Sequence, residues 1–339
     1  LVLSKLLKYR LLWYQNFYDV AHKLRTINIA YTAQFKRIIK LILKVLSKMD
    51  HSFAFVTNGG FLGIPFESEG FASKSDKPFA VAGICWDGCV TNRPGARFGP
   101  RGIRLASHML CGEEHPYFNV TPIDQVAEIG DLLLPNTSLE TMRAALMPQA
   151  KALLDQFEML WLGGDHSITL PLLRAYRERY GQPLACIHFD AHCDTWEDHF
   201  GEPSGHGTWV YEAIQEGLII PEGMVQLGLR SAGVREAREY LNEQGGRIYT
   251  ARELRGRDGE SLQQVIEEVK TRMHELGNPP LYLTFDIDAL DPSFAPGTGT
   301  PEVGGLTTSQ AMTLLEGWSD LNWVGMDLTE VAPAYDYAE

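Results

Sequence analysis

The sequence predicts a three-layer α/β/α domain around a mainly parallel central sheet. Two observations carry this. From about residue 79, strand-like runs that are apolar on both faces alternate with helical segments, the pattern of a parallel sheet covered on two sides. Within 51–339 no composition break, long linker or internal repeat divides the chain, so a single domain is the simplest reading.

The elements follow in order. FAVAGI (79–84) and VAEIGD (126–131) are short β-rich runs. SLETMRAALMPQAKALLDQF is helical, opened by a Thr137-x-x-Glu140 capping box and carrying Pro148, where a kink is expected. EMLWLGGD (158–165) is a buried strand ending in glycines, and ITLPLLRAYRERY is the helix after it. PLACIHFDA (183–191), MVQLGLR (224–230), PLYLTFDID (280–288) and WVGMDLTEV (323–331) are further strands. GTWVYEAIQEGL, VREAREYLNEQ and ESLQQVIEEVKTRMHEL supply helices between them. In such sheets the ligand site lies beyond the carboxyl ends of the strands.

Composition narrows the class. With 45% hydrophobic and 22% charged residues, the chain reads as a soluble globular protein. The net charge of −13 conceals an asymmetry, because residues 1–50 hold ten Lys and Arg against only Asp19 and Asp50. An acidic body argues against nucleic acid as the partner and is compatible with a small cationic substrate. Five scattered cysteines form no disulfide framework, and Cys85-x3-Cys89 lacks the second pair a structural zinc needs. A reducing compartment fits, so a cytoplasmic location is expected. Residues 1–50 differ from the rest: KRIIKLILKVLSK (36–48) patterns as a basic amphipathic helix, too often interrupted by Lys to span a bilayer. A mitochondrial-type leader or a membrane-surface helix fits this pattern. The plainer reading is a non-native extension before Met49, without membrane contact.

Four strands end in polar clusters: Asp165-His166; Asp190, His192 and Asp194; Asp286 and Asp288; Asp327 and Glu330. Any one could be a cap or a hydrogen-bonded terminus. Together, Asp-x-His-x-Asp and Asp-x-Asp at one sheet edge would crowd carboxylates whose burial costs several kcal/mol unless compensated. Cations are the economical answer. His166, Asp190, His192, Asp194, Asp286 and Asp288 form an oxygen-dominated donor set with some imidazole, suited to Mn²⁺, Mg²⁺ or Fe²⁺. Six donors exceed what one ion needs, and two ions bridged by shared carboxylates fit. Such a pair can bring the pKa of a shared water toward neutrality and deliver hydroxide to an electrophilic carbon. The expected reaction class is metal-assisted hydrolysis. Strand alternation would turn Cys193 away from the ions, into packing.

GGDHS, DAHCD and FDIDALDPSFAPGTGTPEVGG resemble, in this order, three signature stretches of the ureohydrolases, the family of arginase and agmatinase. The likeness covers roughly residues 79–336, and VTNRPGARFGPRGIR (90–104) and GHGTWVYEAIQEGLI (205–219) are more similar to agmatinases and related guanidino-acid hydrolases than to arginases. The resemblance implies an arginase-like fold and two manganese ions per subunit. One ion would be held by His166, Asp190, Asp194 and Asp286, the other by Asp190, His192, Asp286 and Asp288. It further implies that His206 is a mobile proton shuttle, that Glu330 receives the guanidinium group, and that the enzyme is a trimer or hexamer. Asp165 and His188 read as groups that support the ligands. The family usually continues with a final helix where this chain stops at Glu339.

The loop TWEDHFGEPSG carries Glu197, Asp198 and Glu202 with no Lys or Arg. If it lines the substrate's tail, an amine is favoured, with Glu197 and Asp198 as binding residues. The expected substrate is then agmatine, cleaved to urea and putrescine; the alternative is a guanidino acid, 4-guanidinobutyrate or 3-guanidinopropionate. Arg93 and Arg97 read as scaffold. Two rivals remain: a mononuclear deacetylase on the same kind of sheet, against which the second Asp pair counts, and an inactive metal-binding relative.

Overall fold

The computed structural model describes residues 59–67, 75–110 and 114–337. The chain divides after Ser52, and all described residues belong to the part that begins at Phe53. The basic stretch 36–48 and Cys111 lie outside the described residues.

The core is one eight-stranded sheet, parallel throughout, in the order β2-β1-β3-β8-β7-β4-β5-β6. Its strands are β1 (Phe79–Gly83), β2 (Val126–Asp131), β3 (Glu158–Leu162), β4 (Leu184–Phe189), β5 (Ile219–Leu229), β6 (Arg247–Thr250), β7 (Leu281–Asp286) and β8 (Trp323–Thr329). Each consecutive pair is joined across a helix, as parallel pairing demands. These helices are α1 (Gly99–Ser107), α2 (Leu139–Leu154), α3 (Thr169–Tyr180), α4 (Trp209–Gln215), α5 (Arg235–Glu243), α6 (Gly259–Glu275) and α7 (Thr308–Gly317).

Strand β4 shows why the apolar runs form this sheet. All six of its residues are buried, and they alternate between two cores. Leu184 and Cys186 join the core filled by Leu146 of α2, Tyr176 of α3, Trp209 of α4 and Leu241 of α5. Ala185, Ile187 and Phe189 join the core of Leu262 and Val265 from α6 with Leu314 from α7. Fully burying an aliphatic or aromatic side chain contributes about 1.5–3 kcal/mol, so a strand buried on both faces is held strongly.

The seven expected strands all form, and the sheet is parallel throughout rather than mainly so. The eighth, β6, is only four residues long, at the sheet edge, and too short to stand out in the sequence. Strand β5 begins earlier than expected, at Ile219. Helices α1 and α7 also carry little sequence signal: α1 opens Gly-Pro and holds a second glycine at Gly102. The start of α2 needs correction. Ser138, not Thr137, is its N-cap and accepts from the Thr141 N–H, while Pro148 is accommodated inside a helix that continues to Leu154.

Strands β3, β8, β7 and β4 are adjacent at the middle of the sheet, with β3 and β4 flanking the other two. Their carboxyl ends therefore converge on one place, and the four acidic clusters lie there.

Candidate metal centre and active site

Strand β3 ends at Leu162 and passes through Gly163-Gly164 into a 3₁₀ turn, His166–Ile168. The main chain of Trp86 crosses so close to Gly164 that any Cβ there would collide with it. Asp165 fastens this crossing by accepting from the N–H groups of Cys89 and Ser167 and from the Ser167 hydroxyl. Burial, and then the neighbouring Glu330 carboxylate, raise its pKa to about 6.

His166 is placed by a relay. Thr284 of β7 donates its hydroxyl hydrogen to Asp327 Oδ1 and accepts from His166 Nε2 at 2.8 Å. Asp327 is held in turn by the hydroxyls of Thr169 and Tyr282. With Nε2 serving as the donor, Nδ1 faces oxygen atoms of Asp190, Asp194 and Asp286, each 3.2 Å away. This buried nitrogen has no hydrogen-bond partner. Burial alone would lower the pKa of His166, yet Asp190, Asp286 and Asp194 outweigh it and drive it well above 6.5. The pocket demands positive charge beside Nδ1.

Asp190, just past β4, presents its two oxygens to different imidazoles. Oδ2 is 3.2 Å from His166 Nδ1, and Oδ1 is 3.2 Å from His192 Nδ1. His192 Nδ1 is also 3.1 Å from Asp288 Oδ2. Behind Asp190, His188 Nε2 donates to Oδ2 at 2.8 Å while Gln226 donates to His188 Nδ1. Burial lowers the pKa of His188 to about 4, so it is a neutral donor. Asp286 Oδ1 accepts the Asp288 N–H, and Asp288 Oδ1 accepts the Ala191 N–H. Trp209 Nε1 donates to Asp194 Oδ2 at 2.7 Å. Two groups of donors are close enough to hold an ion: atoms of His166, His188, Asp190 and Asp194 lie within 4.8 Å of one another, as do those of Asp190, His192 and Asp288, while Asp286 belongs to neither group.

The electrostatics agree. Burial and the Asp190 charge raise the pKa of Asp194 to about 8. Burial with Asp288 and Asp190 lifts Asp286 well above the ordinary range, and burial lifts Asp288 as well. For Asp190 burial works the same way, but His166, His188 and His192 prevail and hold it well below. Buried carboxylates that raise one another's pKa in this way favour a multivalent cation.

Asp190, His192 and Asp194, though at every second position, are not aligned by strand alternation. Strand β4 stops at Phe189, and the three sit on a turn beyond it in which Asp194 takes φ 52°. The turn, not the pleat, converges them. Cys193 points into the apolar core.

Glu330 follows β8 with φ 59°, and this left-handed step turns its side chain into the site, where it is buried. Its Oε1 accepts from the His166 N–H and from His206 Nδ1, each at 2.9 Å. Its Oε2 is buried without a partner. A Cβ at Gly299 would lie 3.5 Å from that oxygen, in ordinary van der Waals contact. Burial opposes charge on His206, but Glu330 and, behind it, Asp165 and Asp194 raise its pKa to about 9. Glu197 and Asp198 are not brought to this group. Both are exposed, and Asp198 accepts the N–H of Gly201 within its own turn. A cleft of about 660 Å³ beside β6, lined by Glu222, Arg247 and Arg272 among others, holds none of the clustered residues. Of the supporting residues, Thr284, Gln226 and Trp209 carried no signal in the sequence, whereas Asp165, His188 and Asp327 stood out at strand ends.

An all-parallel, three-layer sheet with buried imidazoles and carboxylates where its central strands end is the framework of a metal-dependent hydrolase. The Arginase family model matches residues 77–339, and the chain belongs to that family. It is a metal-dependent amidinohydrolase. The agmatinase of Chromobacterium violaceum is 44% identical over 264 residues, covering 77% of this chain and 78% of the relative. The crystal structure of a hypothetical agmatinase from Burkholderia thailandensis matches with TM-score 0.75 at 36% identity, over 84% of this chain and 86% of that one. Proclavaminate amidino hydrolase from Streptomyces clavuligerus matches with TM-score 0.75 at 33% identity, over 85% and 92%. Among the described residues, no helix is long and apolar enough to cross a membrane.

Proposed function

We propose that this chain hydrolyses the guanidino group of agmatine, releasing urea and putrescine, with two manganese ions in the cluster. His166, Asp190, Asp194 and Asp286 would hold one ion, and Asp190, His192, Asp286 and Asp288 the other. The observation that carries this reading is Asp190, whose two oxygens each face a different imidazole at 3.2 Å. The unpartnered His166 Nδ1 among three carboxylate oxygens supports it. Bound there, two divalent ions would act as Lewis acids that bring a water's pKa toward neutrality and so supply the nucleophile.

The remaining work falls to the chain's own residues. Glu330 Oε2, buried and without a partner, accepts N–H donors of the planar guanidinium and aims its carbon at the cluster. A hydroxide oxygen derived from water adds to that carbon, the bond from carbon to the alkyl-bearing nitrogen breaks, and the added hydroxyl gives up its proton to solvent as urea forms. His206, protonated at neutral pH, gives a proton to the departing nitrogen. A cytoplasmic trimer or hexamer is the form the family likeness suggests.

A guanidino acid is the second reading. The exposed positions of Glu197 and Asp198 weaken the case for an acid-lined tail pocket. The neighbour at 33% identity is, by its name, an amidino hydrolase of proclavaminate. The test is urea release by manganese-loaded protein from agmatine, 4-guanidinobutyrate, 3-guanidinopropionate and arginine. Preference for agmatine is expected; preference for a guanidino acid transfers the reading to that class. No urea from any of them, with metal bound, would overturn both.

A further inference from the structure

His206 is held from both sides. Its Nδ1 meets Glu330, and its Nε2 lies 3.1 Å from the hydroxyl of Thr91, which stands on the loop after β1. That loop is fastened across the site: Asn92 Nδ2 and the Arg93 N–H both donate to the carbonyl of Gly299, and the Arg93 guanidinium lies over the Tyr335 ring. The Thr91 hydroxyl thus projects from an anchored base. Threonine is also restricted at χ1, so little freedom is lost in presenting its oxygen.

This arrangement answers a difficulty in the site. Glu330 Oε1 serves His206, while the same carboxylate is the one a guanidinium would claim. A planar guanidinium that paired with both Glu330 oxygens would take Oε1 from the imidazole, and without a second hold the ring could swing out of reach of the leaving nitrogen. We propose that Thr91 is the positioning residue for His206, its hydroxyl retaining the ring through Nε2 when the substrate engages Glu330. This rests on the roles given above to His206 and Glu330. Thr91 touches neither the clustered acids nor the substrate in this scheme; it acts through His206 alone.

The test compares Thr91→Val with Thr91→Ser. Thr91 is exposed, so neither change threatens folding. Losing one hydrogen bond to a charged ring is expected to cost about tenfold in kcat, with KM changed less than twofold, and serine should restore most of the loss. In a His206→Ala background, Thr91→Val should cost nothing further, because the two act as one unit. A second readout needs no turnover: in metal-free protein labelled with ¹⁵N-histidine, the His206 Nε2 resonance should shift in Thr91→Val and return in Thr91→Ser. An unmoved resonance, or a serine variant as impaired as valine, would overturn the proposal. If wild-type protein hydrolyses no guanidino compound, the functional reading fails while the resonance still decides the role of Thr91.

Discussion

Asp190 works only because its neighbours control each of its oxygens and each imidazole facing it. The same reasoning makes Thr284 a sharper probe than any ligand. Its hydroxyl fixes which nitrogen of His166 carries the proton, through a chain ending at Asp327. Thr284→Val preserves shape and removes that relay, so metal affinity should fall about 10–100-fold while the fold persists, as metal titration would measure. For His206, replacement by Asn keeps a polar side chain but no transferable proton. Turnover should drop about 10²–10⁴-fold with KM little altered, checked by steady-state kinetics. Much of this site was legible, since clustered Asp and His residues at strand ends announce themselves. Thr284 was not, because a threonine in mid-strand is an ordinary β-former. Nor were the left-handed steps at Asp194 and Glu330, which leave no mark where the residue is not glycine.

At the level of elements, the parallel strands were legible because burial on both faces demands continuous apolar runs, which loops do not supply. Edge strand β6 escaped for the opposite reason: at four residues, with Arg247 half-buried, it lacks that demand. Loop TWEDHFGEPSG shows a different limit, since its acidity is readable but the direction of its side chains is not. Helix α2 offers a test of local cost. Pro148 is exposed within it and cannot donate to the carbonyl one turn back. Pro148→Ala should therefore stabilise the protein by about 2 kcal/mol, the helix gain of about 3 offset by greater freedom of the unfolded chain. Thermal unfolding would register this as a Tm rise of about 4–8 °C, using about 2–4 °C per kcal/mol for large domains.

For the whole molecule, the carboxylate cluster sets a pH dependence. Asp194 has its pKa raised to about 8 and His206 to about 9, above their ordinary 3.8 and 6.5. Groups with raised pKa bind protons more tightly when folded, so their contribution is fully present below the unfolded value and lost as pH rises through the folded one. His188, lowered to about 4, works oppositely, but its loss comes only as pH falls below 6.5. Between pH 6.5 and 9 the sign is therefore single: metal-free protein should lose stability as pH rises. A manganese ion bound as proposed would compete with protons for the same oxygens, so it should stabilise more at high pH. At a hundredfold excess over Kd each bound ion adds about 2.7 kcal/mol, a Tm gain of roughly 5–10 °C per ion. A Tm that rises with pH in chelator would contradict this.

The most direct measurement is the number of manganese ions bound per chain, by equilibrium dialysis and elemental analysis, for wild type and for Asp190→Asn. Two ions in the wild type are expected, with a marked loss in the variant that removes the charge shared by both imidazoles. One ion, or none, in the wild type would contradict a dinuclear centre. Two ions retained with undiminished affinity in Asp190→Asn would contradict the bridging role of Asp190.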